Sequence, residues 1–258
     1  MTLGPRIYNL FPLLVGSVQD WSGHLARIAG MQFDWVFLNP IHYPGFSGSL
    51  YAVKDPYRLH DRFQGGASES PDDLIRGFCG RAEEHGMRVM LDLVVNHTSD
   101  RHPWFLSAAS DRDSPFRDWY VWRDEIPPGA PKDLVFPDKE NSNWEWHADT
   151  GQFYLHRFYR HQPDLNIGNP LVREEIHKIV GFWLQLGLSG FRVDAVPFLL
   201  ETQGLDRPPE LDMHDWLRDL RSFVQRRCGE AVLLGEVNLP YQDVRRFYGD
   251  EDGGELNI

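Results

Sequence analysis

Arg192 and Asp194 stand two residues apart in Gly190-Phe191-Arg192-Val193-Asp194, a short apolar run with the alternation of a β-strand. Side chains two apart in a strand point to the same face, so the guanidinium lies beside the carboxylate. Such a neighbour favours the ionised carboxylate and fixes the direction of its oxygens, as a carboxylate nucleophile requires. An ion pair at a strand end can equally be structural, and taken alone that is the commoner case. Two further stretches change the balance. Leu91-Asp92-Leu93-Val94-Val95-Asn96-His97 is an apolar strand ending in Asn and His, and Val232-Leu233-Leu234-Gly235-Glu236-Val237-Asn238 is one ending in Glu. Each follows an amphipathic helix, so strands ending in chemically active residues recur with helices between them. That repetition predicts a (β/α) barrel, whose catalytic groups come from the C-terminal ends of different parallel strands.

The positioning elements can be read along the chain. Arg6 to Leu10 reads as the first strand, and Ser17 as the cap of a helix with Trp21, Leu25 and Ile28 on one face. Phe33 to Leu38 reads as the second strand. Asn39 to Asp61, rich in Gly, Pro and Tyr, reads as a long irregular loop at the end where barrel enzymes build substrate sites. Ser70-Pro71-Asp72-Asp73 opens a helix with Leu74, Ile75, Phe78 and Ala82 as its buried stripe and Gly86 as its stop. Val89 to Val94 is the third strand. Asn169-Pro170 caps the next helix, with Val172, Ile176, Ile179 and Trp183 facing the sheet and Gly187 ending it. The fourth strand follows directly. A helix around Trp216, Leu217, Leu220 and Phe223 leads through Gly229 into the fifth strand, and Tyr241 to Tyr248 reads as a short helix.

Residues 98–166, 69 in all, carry no βα repeat and are too many for an ordinary loop. They are expected to form a small inserted domain, rich in Trp104, Phe105, Trp119, Tyr120, Trp122, Trp144, Trp146 and Tyr154. The expected organisation is barrel strands one to three in 1–97, the inserted domain in 98–166, and strands four and five with the following helix in 167–258.

The 258 residues are 41% hydrophobic, enough for one sizeable core. A formal net charge of -12 and a pI of about 5.3 argue against nucleic acid or an anionic membrane as partner and fit a neutral substrate. Cys79 and Cys228 fall in different predicted helices without metal-ligand spacing, so a disulfide framework or a zinc site is not expected and reducing cytoplasm is the default. The opening residues have no basic region followed by an apolar run, and no stretch is long enough to cross a membrane, so a soluble, unprocessed protein is expected. Aromatics reach 13%, with nine Trp. Most serve packing, and the excess suits a site where sugar rings lie on aromatic faces.

Asp92-Leu93-Val94-Val95-Asn96-His97, Gln162-Pro163-Asp164-Leu165-Asn166, Gly190-Phe191-Arg192-Val193-Asp194 and Gly235-Glu236-Val237-Asn238 occur in this order at family-like separations. Together they resemble the α-amylase family of glycoside hydrolases, glycoside hydrolase family 13, from Arg6 to the last residue. The resemblance implies an α/β fold: a TIM-type (β/α)8 barrel, here truncated after about five βα units, with a small inserted domain after strand three that forms one wall of the cleft. It implies a retaining mechanism on α-1,4-glucans, maltose or trehalose, by hydrolysis or by glucosyl or maltosyl transfer, through a covalent glycosyl-Asp intermediate. Asp194 would be the nucleophile and Glu236 the general acid/base. Arg192 would orient Asp194, His97 would donate a hydrogen bond to the sugar at the cleavage point, and Tyr51, four residues before Asp55, would stack on that sugar. Asp92 would be structural, bracing the arginine.

The resemblance also implies a structural Ca2+ held by Asn96, Asp164, the carbonyls of Phe198 and Leu199, and Glu201, an all-oxygen shell. The alternative is that Asn96 and Asp164 only satisfy backbone groups. No organic cofactor is expected. Ser47-Gly48-Ser49-Leu50 departs from the acidic residue that most relatives carry before the Tyr, so contacts to the far side of the sugar are expected to differ. The sequences around Gln162 to Asn166 and after Asp194 look most like trehalose synthases and oligo-α-glucosidases, whereas Asn39 to Asp55 is more like maltosyl-transferring relatives. A competing reading is a non-catalytic carbohydrate-binding protein, or an inactive fragment, on the same fold. A phosphate-binding barrel is set aside by the four motifs.

Without the inserted segment 189 residues remain for the barrel, and five βα units are visible where a closed barrel takes eight in about 250 residues. The family's third catalytic carboxylate, in a His-Asp pair after strand seven, has no counterpart here. The chain is therefore expected to be the N-terminal portion of a longer protein or a shortened gene product, with bare strand edges, and not a competent enzyme alone.

Overall fold

The structure, a computed structural model, describes residues 4–46, 48–128, 134–200, 212–248 and 254–256. In chain order, β1 is Ile7–Leu10, followed by α1 (Pro12–Val15), α2 (Val18–Gly23), α3 (Leu25–Gly30) and β2 (Trp35–Leu38). A hairpin follows, β3 (His42–Phe46) and β4 (Ser49–Leu59), then α4 (Pro71–Glu84) and β5 (Arg88–Leu93). The inserted stretch holds α5 (Pro103–Ser110), β6 (Trp122–Arg123), β7 (Trp144–His147) and β8 (Gln152–Leu155). Then come α6 (Pro170–Gln185), β9 (Gly190–Val193), α7 (Val196–Leu200), α8 (Met213–Arg227), β10 (Val232–Gly235) and α9 (Tyr241–Val244), which runs into a 3-10 turn at Arg245–Tyr248.

Five strands, in the order β1-β2-β5-β9-β10, pair in parallel and form one sheet. Five consecutive residues of β5, Val89 to Leu93, are buried, because helices cover one face and the barrel interior covers the other. The covering helices start and stop where sequence chemistry dictates. Ser70 accepts from the Asp73 N–H at 3.2 Å, Pro71 opens α4, and Gly86 at φ +71 lets the chain turn back into β5. Asn169 accepts from the Leu171 N–H at 2.9 Å and Pro170 opens α6, which ends before Gly187 at φ +100. Between α2 and α4 the buried rings of Trp21, Phe63 and Phe78 meet edge to face, with centroids 5.3 and 5.8 Å from Trp21. The helix expected from Ser17 divides at His24 into α2 and α3, yet Trp21, Leu25 and Ile28 keep one buried face.

One expectation is corrected. The stretch 39–61 is not irregular but largely an antiparallel hairpin, β3 with β4. Its register slips between His42 and Tyr43, between Tyr43 and Pro44, and between Pro44 and Phe46, and Pro44, Gly45 and Gly48 break the period-two pattern that would betray a strand. The hairpin is pinned to the helical layer by Trp183, whose Nε1–H donates to the Pro56 carbonyl at 2.8 Å.

In the inserted stretch β6, β8 and β7 form an antiparallel sheet, and Phe105 of α5 stacks on Trp122 at 5.6 Å. Its aromatic residues Phe105, Trp119, Tyr120, Trp122 and Tyr154 join the same core as the barrel helices. Val121, Trp144 and Leu155 form a smaller cluster of their own. Both cysteines are free thiols, and among the described residues no helix is long and apolar enough to cross a membrane.

Candidate active site

Asp92 in β5 and Arg192 in β9 are register partners on adjacent parallel strands, so their side chains leave the sheet on the same face. Arg192 Nη1 lies 2.7 Å from Asp92 Oδ1 and 2.5 Å from Asp194 Oδ1, and its Nη2 lies 2.9 Å from Glu236 Oε2. Glu236 follows β10, and its Oε2 also accepts the Ala195 N–H at 3.0 Å. That N–H is aimed by Ala195 itself, a non-glycine residue at φ +54, one position after Asp194. Left-handed backbone at such a residue is costly and is retained where the surroundings impose it, as functional sites commonly do.

The network continues across the strand ends. Tyr51 of β4 donates its hydroxyl hydrogen to Asp92 Oδ2 at 2.9 Å and accepts from Asn39 Nδ2 at 3.3 Å. Asn9 Nδ2 donates to Asn39 Oδ1 at 2.9 Å and to the Phe37 carbonyl at 3.3 Å. One chain of polar contacts thus crosses the C-terminal ends of β1, β2, β5, β9 and β10. The sequence does not single out Asn9 or Asn39 as site residues; their only signal is a short polar residue near the end of an apolar strand, the position that Asn96 also holds.

Burial and charge set the protonation of this cluster. Desolvation, then repulsion from Asp92, pushes Asp194 up to about 7 in spite of Arg192. Burial likewise raises Asp92 to about 6. Burial alone would lower Arg192, but the carboxylates of Asp92 and Asp194 outweigh it and hold the guanidinium charged. Desolvation, with Asp92 close by, raises the Tyr51 phenol, which stays neutral.

His97 lies beneath the surface, 2% exposed, against the ring of Phe158 at 5.1 Å. Burial lowers it to about 3, so it is neutral. Its Nε2 is buried and has no hydrogen-bond partner among the described residues. Phe158 also touches Phe198 at 5.3 Å.

Asn96 and Asp164 are both buried, and Asn96 Nδ2 lies 3.2 Å from Asp164 Oδ1. The same Oδ1 accepts the Arg157 N–H at 3.0 Å, and Arg157 Nε stands 3.8 Å from Oδ2. Phe198 and Leu199 lie in α7 (Val196–Leu200). Glu201 lies outside the described residues. Asn96 turns its Nδ2 to Asp164, and the Asp164 oxygens face Asn96 and Arg157, as in the reading where these residues satisfy neighbouring groups; the residue types, an amide, a carboxylate and main-chain carbonyls, are those a hard cation takes.

Three clefts lie elsewhere, one of about 480 Å³ by Cys79 and Arg88 at the N-terminal ends of the strands, one of about 620 Å³ by Trp122 and Asn169, and one of about 350 Å³ by Tyr57 and Trp104. The first two have one carboxylate each in their lining; the third has Asp55 and Glu175, of which Glu175 accepts the Tyr57 hydroxyl at 2.8 Å.

Compared with known proteins, residues 13–258 match the family described as alpha amylase, catalytic domain. Trehalose synthase from Pimelobacter sp. is 44% identical over 178 residues, 69% of this chain and 31% of that protein. Trehalose synthase/amylase TreS from Mycobacterium tuberculosis is 36% identical over 238 residues, 91% of this chain and 39% of that protein. The chain therefore spans well under half the length of these relatives. The crystal structure of the trehalulose synthase MutB from Pseudomonas mesoacidophila MX-45 superposes with a TM-score of 0.83 at 28% identity, covering 98% of this chain and 48% of that one.

Proposed function

Because the chain belongs to the α-amylase family of glycoside hydrolases, we propose that it supplies the nucleophile and the general acid/base of a retaining enzyme acting on short α-glucosides. The observation that carries this reading is the single guanidinium of Arg192 tied to both Asp194 and Glu236 at the ends of neighbouring strands. Two carboxyl groups on the two terminal nitrogens of one guanidinium are close neighbours, which suits the ~5 Å spacing of a double displacement. Asp194 attacks the anomeric carbon while the bond to the leaving oxygen breaks and Glu236 gives that oxygen its proton. Glu236 then takes a proton from water or from an acceptor hydroxyl, which attacks the same carbon and releases Asp194. Oε2 of Glu236 is held by Arg192 and Ala195, so Oε1 is the oxygen that presents the proton.

Asp92, anchored by Tyr51, braces Arg192 from behind. In this reading Tyr51 stacks on the sugar at the cleavage point and His97 donates a hydrogen bond to it; what supports the His97 role is a buried Nε2 with no hydrogen-bond partner among the described residues. Maltose and trehalose are the proposed substrates, supported by the names of the relatives. The two free thiols suit a cytoplasmic protein. Asn96, Asp164 and the Phe198 and Leu199 carbonyls, with Glu201, would hold a structural Ca2+ that ties the inserted stretch to the nucleophile's strand.

Turnover of maltose, trehalose and maltotriose tests the reading. Asp194→Asn is expected to remove about 10³-fold or more of the rate, because no other group can form the covalent intermediate. A variant that keeps its rate would refute the assignment.

A further inference from the structure

The polar contacts that run from β1 to Asp92 have a direction, and one backbone carbonyl sets it. Asn9 and Phe37 are register partners on β1 and β2, and the Phe37 carbonyl, which can only accept, takes a hydrogen from Asn9 Nδ2 at 3.3 Å. The second hydrogen of that Nδ2 goes to Asn39 Oδ1 at 2.9 Å. With its oxygen committed there, Asn39 turns its Nδ2 to the Tyr51 hydroxyl oxygen at 3.3 Å, and the hydroxyl hydrogen is left for Asp92 Oδ2 at 2.9 Å. Turned over, the Asn39 amide would set Nδ2 against Asn9 Nδ2, donor facing donor. Its Oδ1 would also draw the Tyr51 hydrogen away and leave the hydroxyl oxygen facing Asp92 Oδ2 with no hydrogen between them.

Asp92 is fully buried, with Oδ2 on Tyr51 and Oδ1 on Arg192 Nη1 at 2.7 Å. The direction of the contacts therefore decides whether both Asp92 oxygens are satisfied while the carboxylate holds Arg192 between Asp194 and Glu236. We propose that Asn39, fixed by Asn9, is a positioning residue for the reaction: it aims the Tyr51 hydroxyl at Asp92 and, through Asp92, sets the guanidinium that both catalytic carboxyl groups share. The inference rests on the α-glucoside reading above and adds to it a residue that acts through Tyr51. Asn9 is exposed and Asn39 half-buried, so truncating either leaves the core in place.

The test is a double-mutant cycle on the full protein, read as turnover of maltose, trehalose and maltotriose. Asn39→Ala is expected to lower kcat about tenfold with KM nearly unchanged, because the lost bond supports a buried charge and not the substrate. Tyr51→Phe, which keeps the ring and drops the hydroxyl, should lower kcat by a similar factor. In the Tyr51→Phe background Asn39→Ala should then cost at most about twofold, since no hydroxyl is left to aim. Asn9→Ala should follow the same pattern with a smaller loss. Losses that multiply in the double variant would overturn the inference, because a residue that merely supports the fold acts independently of the hydroxyl. So would a loss confined to KM, or the parent's kcat in Asn39→Ala. A parent that turns over none of the three sugars sinks the α-glucoside reading itself and takes this inference with it.

Discussion

Arg192 carries one positive charge and faces Asp92, Asp194 and Glu236, so the cluster holds excess negative charge that protons relieve. Desolvation, with that repulsion added, pushes Asp194 up to about 7 and Asp92 up to about 6. Both have native values above those of the unfolded chain, where Asp titrates near 3.9. The native state therefore keeps protons that the unfolded state has already lost, and stability falls as pH rises from about 4 through 7. Asp194→Asn removes the share of that dependence that Asp194 carries, so it is expected to raise Tm at pH 8 relative to the parent, with a gain that shrinks towards pH 4; a pair of melting series checks this. Because attack requires the ionised carboxylate, kcat/KM should fall on the acid side of about pH 7 in a pH–rate profile. The pairing of Arg192 with Asp194 was legible because period-two spacing is local. Asn9 and Asn39 were not, since each finds its partner about 30 positions away and only the assembled sheet brings them together.

At the scale of elements, α4 and α6 could be read nearly to the residue because caps, Pro at the first turn and Gly at the stop are local signals with local causes. Asn169→Ala removes the N-cap of α6 and the bond from Nδ2 to the Asp118 carbonyl, and is expected to cost about 1 kcal/mol in chemical denaturation. Phe78, fully buried between Trp21 and the sheet, is a costlier site: Phe78→Ala should lose about 3–5 kcal/mol in the same measurement. The hairpin escaped the sequence reading because bulges and prolines erase alternation. The strands of the inserted stretch, two to four residues long and held by aromatic packing, were too short to leave a period.

Across the whole molecule, the inserted stretch meets the barrel at the His97–Asp164 bridge, where Asn96 Nδ2 donates to Asp164 Oδ1. If Ca2+ occupies this joint, millimolar CaCl2 should raise Tm and EDTA should reverse the gain, since a ligand at about 100 times its Kd stabilises the native state by about 2.7 kcal/mol. A Tm indifferent to both would leave Arg157 and the backbone as the partners of Asp164. The central claim is that Asp194 becomes covalently glycosylated. Its most direct measurement is mass spectrometry of peptides after incubation with a 5-fluoro-α-glucosyl fluoride, whose intermediate forms faster than it breaks down. The expected result is one fluoroglucosyl unit on the peptide that contains Asp194, absent in Asp194→Asn. A label on another residue, or turnover with inversion at the anomeric carbon, would contradict it.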